Sequence, residues 1–166
     1  MSVHEHRKGP RAILKLGVIT ASDTRTSDTD ESGRLIKTML EAAGHQVAYY
    51  EILRDEPARI SDAIKQHLAQ LDGIIVNGGS GIAARDSTFE AVQTLLDKEL
   101  PGFGELFRML SYQEIGSAAF LSRATAGISA GKIVVSLPGS PDACRLGLEK
   151  LLIPELGHIA HLLKLG

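Results

Sequence analysis

Four short apolar runs, separated by amphipathic segments, constrain this chain more than any other feature. They read AILKLGVIT (12–20), QVAYYEIL (46–53), DGIIVN (72–77) and KIVVSL (132–137). The first run is apolar and partly β-branched, which is typical of a strand covered on both faces. Strands that alternate with helices predict an α/β fold, in which a largely parallel sheet carries helices on both sides.

The segments between these runs show helical periodicity and helix-end signals. The predicted stripes are Leu35, Ile36, Met39, Leu40 and Ala43, then Ile60, Ala63, Ile64, Leu68 and Leu71. Gly44 supplies a stop for the first helix, and Pro57 suits the first turn of the second. Ser87 and Glu90 have the spacing of a capping box, which predicts the start of a third helix.

The last third of the chain has weaker periodicity. Residues 101–131 are predicted as helix or loop, and a short buried strand follows at 132–137. Ser140 and Pro141 mark the start of a final helix, which Pro154 breaks or kinks.

Polar or glycine-rich segments follow each predicted strand. They are residues 21–33, 54–57, 77–88 and 138–141. The carboxyl ends of parallel strands lie at one edge of a sheet, and ligands bind beyond that edge. These four segments are therefore expected to lie together and to form the site.

Amino-acid composition indicates the expected compartment and the expected kind of ligand. The single Cys144 can form no internal disulfide, and no clustered Cys/His spacing indicates zinc, so a reducing, cytoplasmic setting is expected. A net charge of −2, with three Tyr, four Phe and no Trp, argues against a nucleic-acid partner. The sequence has no recognisable signal peptide or membrane span. A small molecule is the expected partner.

The N-terminal residues differ from the rest of the chain. Residues 1–10 carry charge without periodicity and are predicted to be a flexible tail, which leaves 11–166 as one domain. His4 and His6 have metal-binding chemistry, but a solvated terminus is the favoured interpretation.

The segment NGGSGIAARDSTFEA (77–91) places three glycines directly after a predicted strand. Gly78, Gly79 and Gly81 lack the β-carbons that keep anions away from backbone N–H groups, and the following helix would add its dipole. A tight strand-to-helix turn would explain one or two of these glycines. A phosphate-binding loop explains all three and is the favoured prediction.

The loop differs from one common nucleotide-binding motif and partly fits another. The Walker A pattern is absent. GSGIAA (79–84) does fit the dinucleotide pattern G-x-G-x-x-A after a strand. The required carboxylate, Asp97, falls within a predicted helix instead of at the end of the next strand, so dinucleotide binding remains the weaker alternative.

The motifs resemble those of the molybdopterin-binding family, which makes molybdenum cofactor. GGSG…RDSTFEA (78–91) is similar to the family motif G-G-[TS]-G…R-D-x-T-[PX]-E-A, and the likeness extends through 22–33, 100–127 and 137–143. The resemblance implies a three-layer α/β fold and a homotrimer or homohexamer. It also implies Mg²⁺- and ATP-dependent adenylylation of molybdopterin, alongside other molybdenum cofactor biosynthesis enzymes.

The resemblance assigns roles residue by residue. Asp55 and Asp86 match the two aspartates on which adenylylation in the family depends, as catalytic and Mg²⁺-binding groups, although each could instead cap the helix that follows it. The residues implied in substrate binding are Ser22, Asp23, Gly78, Gly79, Ser80, Gly81, Arg85, Ser122, Arg123, Pro138, Gly139 and Ser140.

Local turns would also explain some of these substrate-binding residues. Ser22 and Asp23 fit a simple turn nearly as well, and so does the segment 138–142. An arginine at position 123 could pair with phosphate. The chain departs mildly from the family pattern, because Ser80 stands where Thr is common and Phe89 replaces a frequent Pro.

The sequence is compatible with three classes of function. The favoured class is an adenylyltransferase, the second is a molybdopterin-binding carrier without that activity, and the third is an unrelated dinucleotide-binding domain. Retention of both Asp55 and Asp86 favours the first class over the second.

Overall fold

A single mixed sheet organises the structure, a computed structural model that describes residues 12–166. The predicted tail, with His4 and His6, lies outside the described residues. The strands are β1 (Lys15–Ala21), β2 (Gln46–Leu53), β3 (Gly73–Asn77), β4 (Lys98–Glu99), β5 (Thr125–Ser129) and β6 (Lys132–Leu137). Their order is β2-β1-β3-β6-β5-β4, and the first four are parallel. The predicted α/β fold with a largely parallel sheet is confirmed.

Helices cover both faces of this sheet. They are α1 (Glu31–Ala42), α2 (Pro57–Leu68), α3 (Thr88–Gln93), α4 (Pro101–Ile115), α5 (Pro141–Gly147) and α6 (Ile153–Leu163), with a 3₁₀ helix at Gly116–Leu121 and a π-helical turn at Leu148–Leu152. Buried residues of α1, α4, α5 and α6 belong to one apolar cluster, and those of α2 and α3 belong to another.

Adjacent strand residues divide between these two clusters. Val18 and Ile75 belong to the first cluster, whereas their neighbours Ile19 and Val76 belong to the second. This division follows from the alternation of side chains along a strand, and it explains why the central strands are apolar throughout. The three-layer arrangement is therefore confirmed. No helix within residues 12–166 is long and apolar enough to cross a membrane.

The four polar segments meet at one edge of the sheet, as predicted. Ser22 N donates to the Leu53 carbonyl at 2.8 Å, and Gly78 N donates to the Leu137 carbonyl at 3.0 Å. The strands that precede these segments are parallel, so their carboxyl ends are level with one another.

The structure corrects the interpretation of residues 101–131 as helix or loop. β5 lies in this segment and was not predicted, because it contains a glycine within an irregular pattern. The very short β4 lies just before the segment, and Asp97, predicted to be helical, lies between the end of α3 at Gln93 and β4. β5 pairs antiparallel with β6 through a two-residue turn in which Ala130 and Gly131 both have positive φ, 49° and 75°. Such turns usually carry Asn-Gly or Asp-Gly, so Ala-Gly gave little signal.

Most predicted helix ends are confirmed. Gly44 follows α1 with φ of 91°, and Pro57 lies in the first turn of α2. Ser140 Oγ accepts a hydrogen bond from Ala143 N at 3.2 Å and so caps α5. The π-helical turn directly before Pro154 is the predicted irregularity, since proline supplies no N–H to the helix ladder.

The predicted capping box at the start of α3 is wrong. Ser87 occupies the N-cap position but its side chain makes no cap hydrogen bond. Ser87 Oγ donates to Asp55 Oδ1 at 2.8 Å, and Glu90 pairs with Arg123. Both side chains therefore connect the glycine-rich loop to other segments of the sheet edge.

A buried carboxylate, Asp30, lies beneath this edge and accepts several hydrogen bonds. Thr20 Oγ1 and Tyr50 OH each donate to it at 2.6 Å, the Gly33 amide donates at 3.0 Å, and Arg25 lies at 3.3 Å. Burial alone would raise the pKa of Asp30, but these donors outweigh it and hold the pKa below the ordinary value.

We expect Asp30→Asn to lower the free energy of unfolding by about 3 kcal/mol, because neutral Asn leaves buried donors poorly paired. The folded-state pKa lies below the ordinary value of 3.8, so the carboxylate contributes fully above that pH and loses its contribution as the pH falls below it. Urea midpoints of wild type and variant should therefore converge below about pH 4. The exposed Asp28→Asn is the matched control, and an unchanged gap at low pH would contradict this assignment.

Candidate functional site

A cleft of about 390 Å³ lies beyond the carboxyl edge of the sheet. It is bounded by the glycine loop (residues 78–87), the β6–α5 connection, α4 and the 3₁₀ helix. Its lining comprises Gly78, Gly79, Ser80, Gly81, Asp86, Phe107, Ser111, Ile115, Ala118, Ala119, Leu121, Ser122, Pro138, Gly139, Ser140 and Ala143. Most of the predicted site residues are in this lining, but Ser22, Asp23, Asp55, Arg85 and Arg123 are not.

Each glycine of the loop has its own structural reason. Gly78 and Gly79 have φ of 92° and 60°, a region that favours glycine. A β-carbon on Gly78 would lie 2.2 Å from the Ala21 carbonyl oxygen, so the turn packs tightly against the end of β1. A β-carbon on Gly81 would lie 2.7 Å from Asp86 Oδ2. Tight turning explains Gly78 and Gly79, and the approach of a carboxylate explains Gly81.

The glycine loop presents unpaired backbone donors. Among the described residues, the N–H groups of Gly79, Ser80, Gly81 and Ile82 have no hydrogen-bond acceptor. Unpaired N–H groups at the wall of a cleft are suited to an anion. The predicted contribution of a helix dipole is not supported, because α3 begins only at Thr88 and spans six residues.

Asp55 lies against the glycine loop, although it belongs to the β2–α2 connection. Its Oδ1 accepts from Ser87 N at 3.3 Å and from Ser87 Oγ at 2.8 Å. Its Oδ2 lies 2.3 Å from the position that a Gly79 β-carbon would occupy, and no described residue donates to that oxygen. Asp55 does not cap α2, because the N-cap residue is Glu56.

Asp86 lies at the other end of the loop and lines the cleft directly. Its Oδ2 accepts from Ala83 N at 2.8 Å, which closes a turn within the loop. Asp86 does not cap α3, because Ser87 holds that position. Asp55 and Asp86 therefore approach the glycine loop at Gly79 and Gly81, and neither acts as a helix cap.

A buried hydroxyl near Asp55 has no partner. Thr88 is fully buried, and its Oγ1 has no hydrogen bond to any described residue. It lies 2.4 Å from the position of a Gly79 β-carbon, on which Asp55 Oδ2 also converges. Carboxylate and hydroxyl oxygens are ligands that Mg²⁺ accepts, so these residues fit that ion. Within residues 12–166 no three or more His, Cys, Asp or Glu side chains are arranged to hold a metal ion, so the remaining ligands would be water and substrate phosphate.

The loop after β1 supports the site from outside the cleft. Asp23 forms an ion pair with Arg85 of the glycine loop, and Asp23 Oδ1 also accepts from Asp55 N at 3.2 Å. Ser22 Oγ accepts from the backbone of Thr24 and Arg25, at 3.3 and 3.1 Å, as a local turn would require. The contacts of Ser22 match the turn interpretation, whereas those of Asp23 connect the loop after β1 to the glycine loop and to Asp55.

Ser122 and Arg123 have different positions. Ser122 lines the cleft, and its Oγ accepts from Ala124 N at 3.3 Å. Arg123 lies behind the glycine loop, where Nε donates to the Gly81 carbonyl at 2.8 Å. The interpretation of Arg123 as a phosphate ligand gains no support from this placement.

The β6–α5 connection forms the second polar wall of the cleft. Pro138, Gly139 and Ser140 all line it. Arg25 donates to the Gly139 carbonyl at 2.8 Å and also pairs with Asp30. The buried polar network beneath the edge thereby fixes this connection relative to the loop after β1.

The sequence did not predict the opposite wall of the cleft. Phe107, Ser111 and Ile115 come from α4, and Ala118 and Leu121 come from the 3₁₀ helix. α4 carries apolar residues on its exposed side as well as its buried side, which obscured its periodicity. An apolar wall facing a loop of N–H donors suits a ligand that has a flat ring at one end and an anion at the other.

The dinucleotide alternative lacks its carboxylate. Asp97 Oδ2 accepts from Ala130 N at 2.7 Å, at the β4–β5 edge of the sheet. β4 and β5 are the two strands farthest from β1 and β3 in the sheet order. Asp97 is therefore not available beside the glycine loop to bind a ribose.

The fold and the loop together define a class of α/β protein that binds its ligand beyond the carboxyl ends of parallel strands. The family model described as "Probable molybdopterin binding domain" matches residues 17–158. The chain therefore belongs to the molybdopterin-binding domain family, as the sequence motifs indicated.

Relatives with similar sequences and structures agree with this assignment. Molybdenum cofactor biosynthesis protein B of Halalkalibacterium halodurans is 53% identical over 162 residues, which cover 96% of this chain and 95% of the relative. A crystal structure of a molybdenum cofactor biosynthesis protein B has a TM-score of 0.91 at 48% identity, covering 94% of this chain and 99% of the other. The tungsten cofactor synthesizing protein MoaB from Pyrococcus furiosus has a TM-score of 0.83 at 40% identity, with the same coverage.

Proposed function

We propose that this protein acts in molybdenum cofactor biosynthesis and transfers the adenylyl group of ATP to molybdopterin in the presence of Mg²⁺. The observation that carries the proposal is the glycine loop, which has unpaired N–H groups at the wall of the cleft and is approached by the carboxylates of Asp55 and Asp86 at Gly79 and Gly81. Retention of both carboxylates, in contact with the loop, favours transfer over simple carriage of the pterin.

The reaction requires little covalent chemistry from the protein. A terminal phosphate oxygen of molybdopterin attacks the α-phosphorus of ATP, and the bond from that phosphorus to the β-phosphate oxygen breaks. Pyrophosphate leaves, and the AMP unit is then joined to the pterin phosphate. The protein contributes by holding both phosphates in line and by balancing their charge.

The cleft divides these tasks between its walls. The N–H groups of the glycine loop bind phosphate, and the wall formed by α4 and the 3₁₀ helix holds a ring. Gly139 and Ser140 complete the polar side, together with Ser122. When Mg²⁺ is bound, it supplies charge neutralisation for the phosphates, and Asp55, Asp86 and Thr88 are the residues suited to hold it.

The direct test is to incubate purified protein with molybdopterin, ATP and Mg²⁺ and to measure pyrophosphate and adenylylated pterin. We expect both products in equal amounts. Neither product should form when EDTA removes Mg²⁺, when apyrase has hydrolysed the ATP, or when molybdopterin is omitted. Tight binding of molybdopterin without either product would instead identify a carrier.

We also propose that the protein assembles into a trimer or hexamer, in the cytoplasm and alongside other molybdenum cofactor enzymes. The apolar C-terminal stretch LLIPELGHIAHLLKL (151–165) packs in part against its own chain, since Leu152, Leu156 and Ala160 are buried. Within this stretch Leu162 is the large apolar side chain that is exposed. Most of the other exposed large apolar side chains among residues 12–166 lie on α4 and the 3₁₀ helix: Leu106, Met109, Tyr112, Ile115, Phe120 and Leu121.

Light scattering should therefore report a mass several times the 17.8 kDa of one chain at micromolar concentration. Met109→Asp should lower that mass, because it places a charge within the exposed apolar side of α4. Leu162→Asp, at the exposed apolar position of the C-terminal helix, is the matched control and should leave the mass unchanged. A wild-type monomer would contradict the assembly.

A further inference from the structure

We propose that Arg123 is a positioning residue, which holds the glycine loop in its ligand-binding shape without itself contacting phosphate. The inference rests on the proposed function and deepens it. All three guanidinium nitrogens contact the protein: Nε donates to the Gly81 carbonyl at 2.8 Å, one terminal nitrogen donates to the Asp86 carbonyl at 3.0 Å, and the other pairs with Glu90. The Arg123 backbone N–H donates to the Ser80 carbonyl at 3.2 Å.

These contacts fix which way the loop's peptide units face. In a planar trans peptide the C=O and the following N–H point in opposite directions. Arg123 binds the carbonyls of Ser80 and Gly81, so the N–H groups of Gly81 and Ile82 point away from it. Those two N–H groups are among the unpaired donors of the loop.

The same geometry connects Arg123 to both carboxylates. Its contact with the Asp86 carbonyl turns the following N–H, that of Ser87, in the opposite direction. Ser87 N donates to Asp55 Oδ1 at 3.3 Å. Arg123 therefore helps to hold Asp55 through one peptide unit and Asp86 through its own backbone.

Phe89 and Glu90 hold Arg123 in turn. The guanidinium carbon lies 5.1 Å from the centre of the Phe89 ring, which is within the range of a cation–π contact. The hydrogen bond from Arg123 is the main cause that holds the pKa of Glu90 below its usual value. Phe89, which replaces a proline frequent in the family, thus supplies a surface on which the guanidinium stacks.

The two roles of Arg123 predict different behaviour for a lysine. A phosphate ligand needs positive charge, which Arg123→Lys keeps, whereas holding two carbonyls and Glu90 needs the planar fork, which lysine lacks. If Arg123 positions the loop, Arg123→Lys and Arg123→Gln should both raise the Kd for molybdopterin at least ~10-fold, since small displacements of a binding loop have large effects. The salt dependence of binding should not change, because no ion pair to the ligand is removed.

A readout without ligand tests the loop separately from the proposed function. Trypsin cleavage after Arg85, in the exposed part of the loop, reports local opening in the unliganded protein. Both Arg123 variants should be cleaved at least ~10-fold faster than wild type, and Glu90→Gln should be intermediate, since it removes one tether. Arg145→Gln, on surface salt bridges away from the loop, is the control.

Two results would overturn the proposal. The first is a Kd for molybdopterin that stays within threefold of wild type in Arg123→Lys but rises in Arg123→Gln. This result would identify Arg123 as a charge contact to the ligand. The other is an unchanged cleavage rate after Arg85 in both variants. Urea midpoints of all variants show whether any loss is global, and Glu90→Gln provides the milder change if an Arg123 variant does not fold. If wild type binds no molybdopterin, the proposed function fails, yet the cleavage rates still decide the role of Arg123.

Discussion

Asp86→Asn is expected to reduce adenylyl transfer by at least ~10²-fold, since loss of one preorganised charge contact costs roughly 2.7 kcal/mol or more of barrier. The amide oxygen of asparagine can still accept from Ala83 N, as Asp86 Oδ2 does at 2.8 Å, so the turn should keep its shape. The variant therefore removes charge and spares the loop. In Asp86→Asn the rate of pyrophosphate release should fall, whereas the affinity for molybdopterin, measured by calorimetry, should remain nearly unchanged.

Asp97→Asn provides the matched control for this experiment. Asp97 accepts from Ala130 N at 2.7 Å, a similar carboxylate-to-backbone contact at the far edge of the sheet. Its activity should equal that of wild type. Turnover of Asp86→Asn within threefold of wild type would show that the assigned role of Asp86 is wrong.

Gly79→Ala should strongly weaken the binding of molybdopterin and Mg²⁺-ATP, and it should also lower the free energy of unfolding. The φ of 60° disfavours any side chain, and the new β-carbon would lie 2.3 Å from Asp55 Oδ2 and 2.4 Å from Thr88 Oγ1. Asp55 must move, so we expect at least ~10²-fold loss of transfer. Strain alone should cost about 1 kcal/mol of the free energy of unfolding.

Gly44→Ala is the control that distinguishes backbone strain from a steric clash of the new β-carbon. Gly44 has φ of 91°, but nothing lies within 4 Å of its would-be β-carbon. It should lose a similar amount of stability from strain alone and keep full activity. Equal losses of urea midpoint in the two variants, with unchanged binding of molybdopterin and Mg²⁺-ATP by Gly79→Ala, would mean that Gly79 serves only the turn.

Much of this site followed from the sequence because the topology is simple. Apolar runs alternating with helical stripes predicted parallel strands, and parallel strands bring their carboxyl ends together. The sequence therefore predicts the glycines, Asp86 and residues 138–140 at one edge of the sheet. Asp55 was also expected there, since the second strand ends just before it.

Other features depend on contacts that no local pattern records. The apolar wall from Phe107 and Ile115 requires α4 to cross the cleft, and its periodicity was obscured by exposed apolar residues. The spacing of Ser87 and Glu90 fitted a capping box, but their partners are Asp55 and Arg123, each more than thirty residues away in sequence. Local propensity cannot identify such long-range pairs.

The most direct measurement is a single-turnover reaction with ATP labelled at the α-phosphorus, using protein in excess over molybdopterin and Mg²⁺ in excess over ATP. The label should move from ATP to the pterin at the rate at which pyrophosphate appears, and Asp86→Asn should slow both by the same factor. Molybdopterin bound by the cleft while the label remains entirely in ATP would contradict the assignment of this protein as an adenylyltransferase.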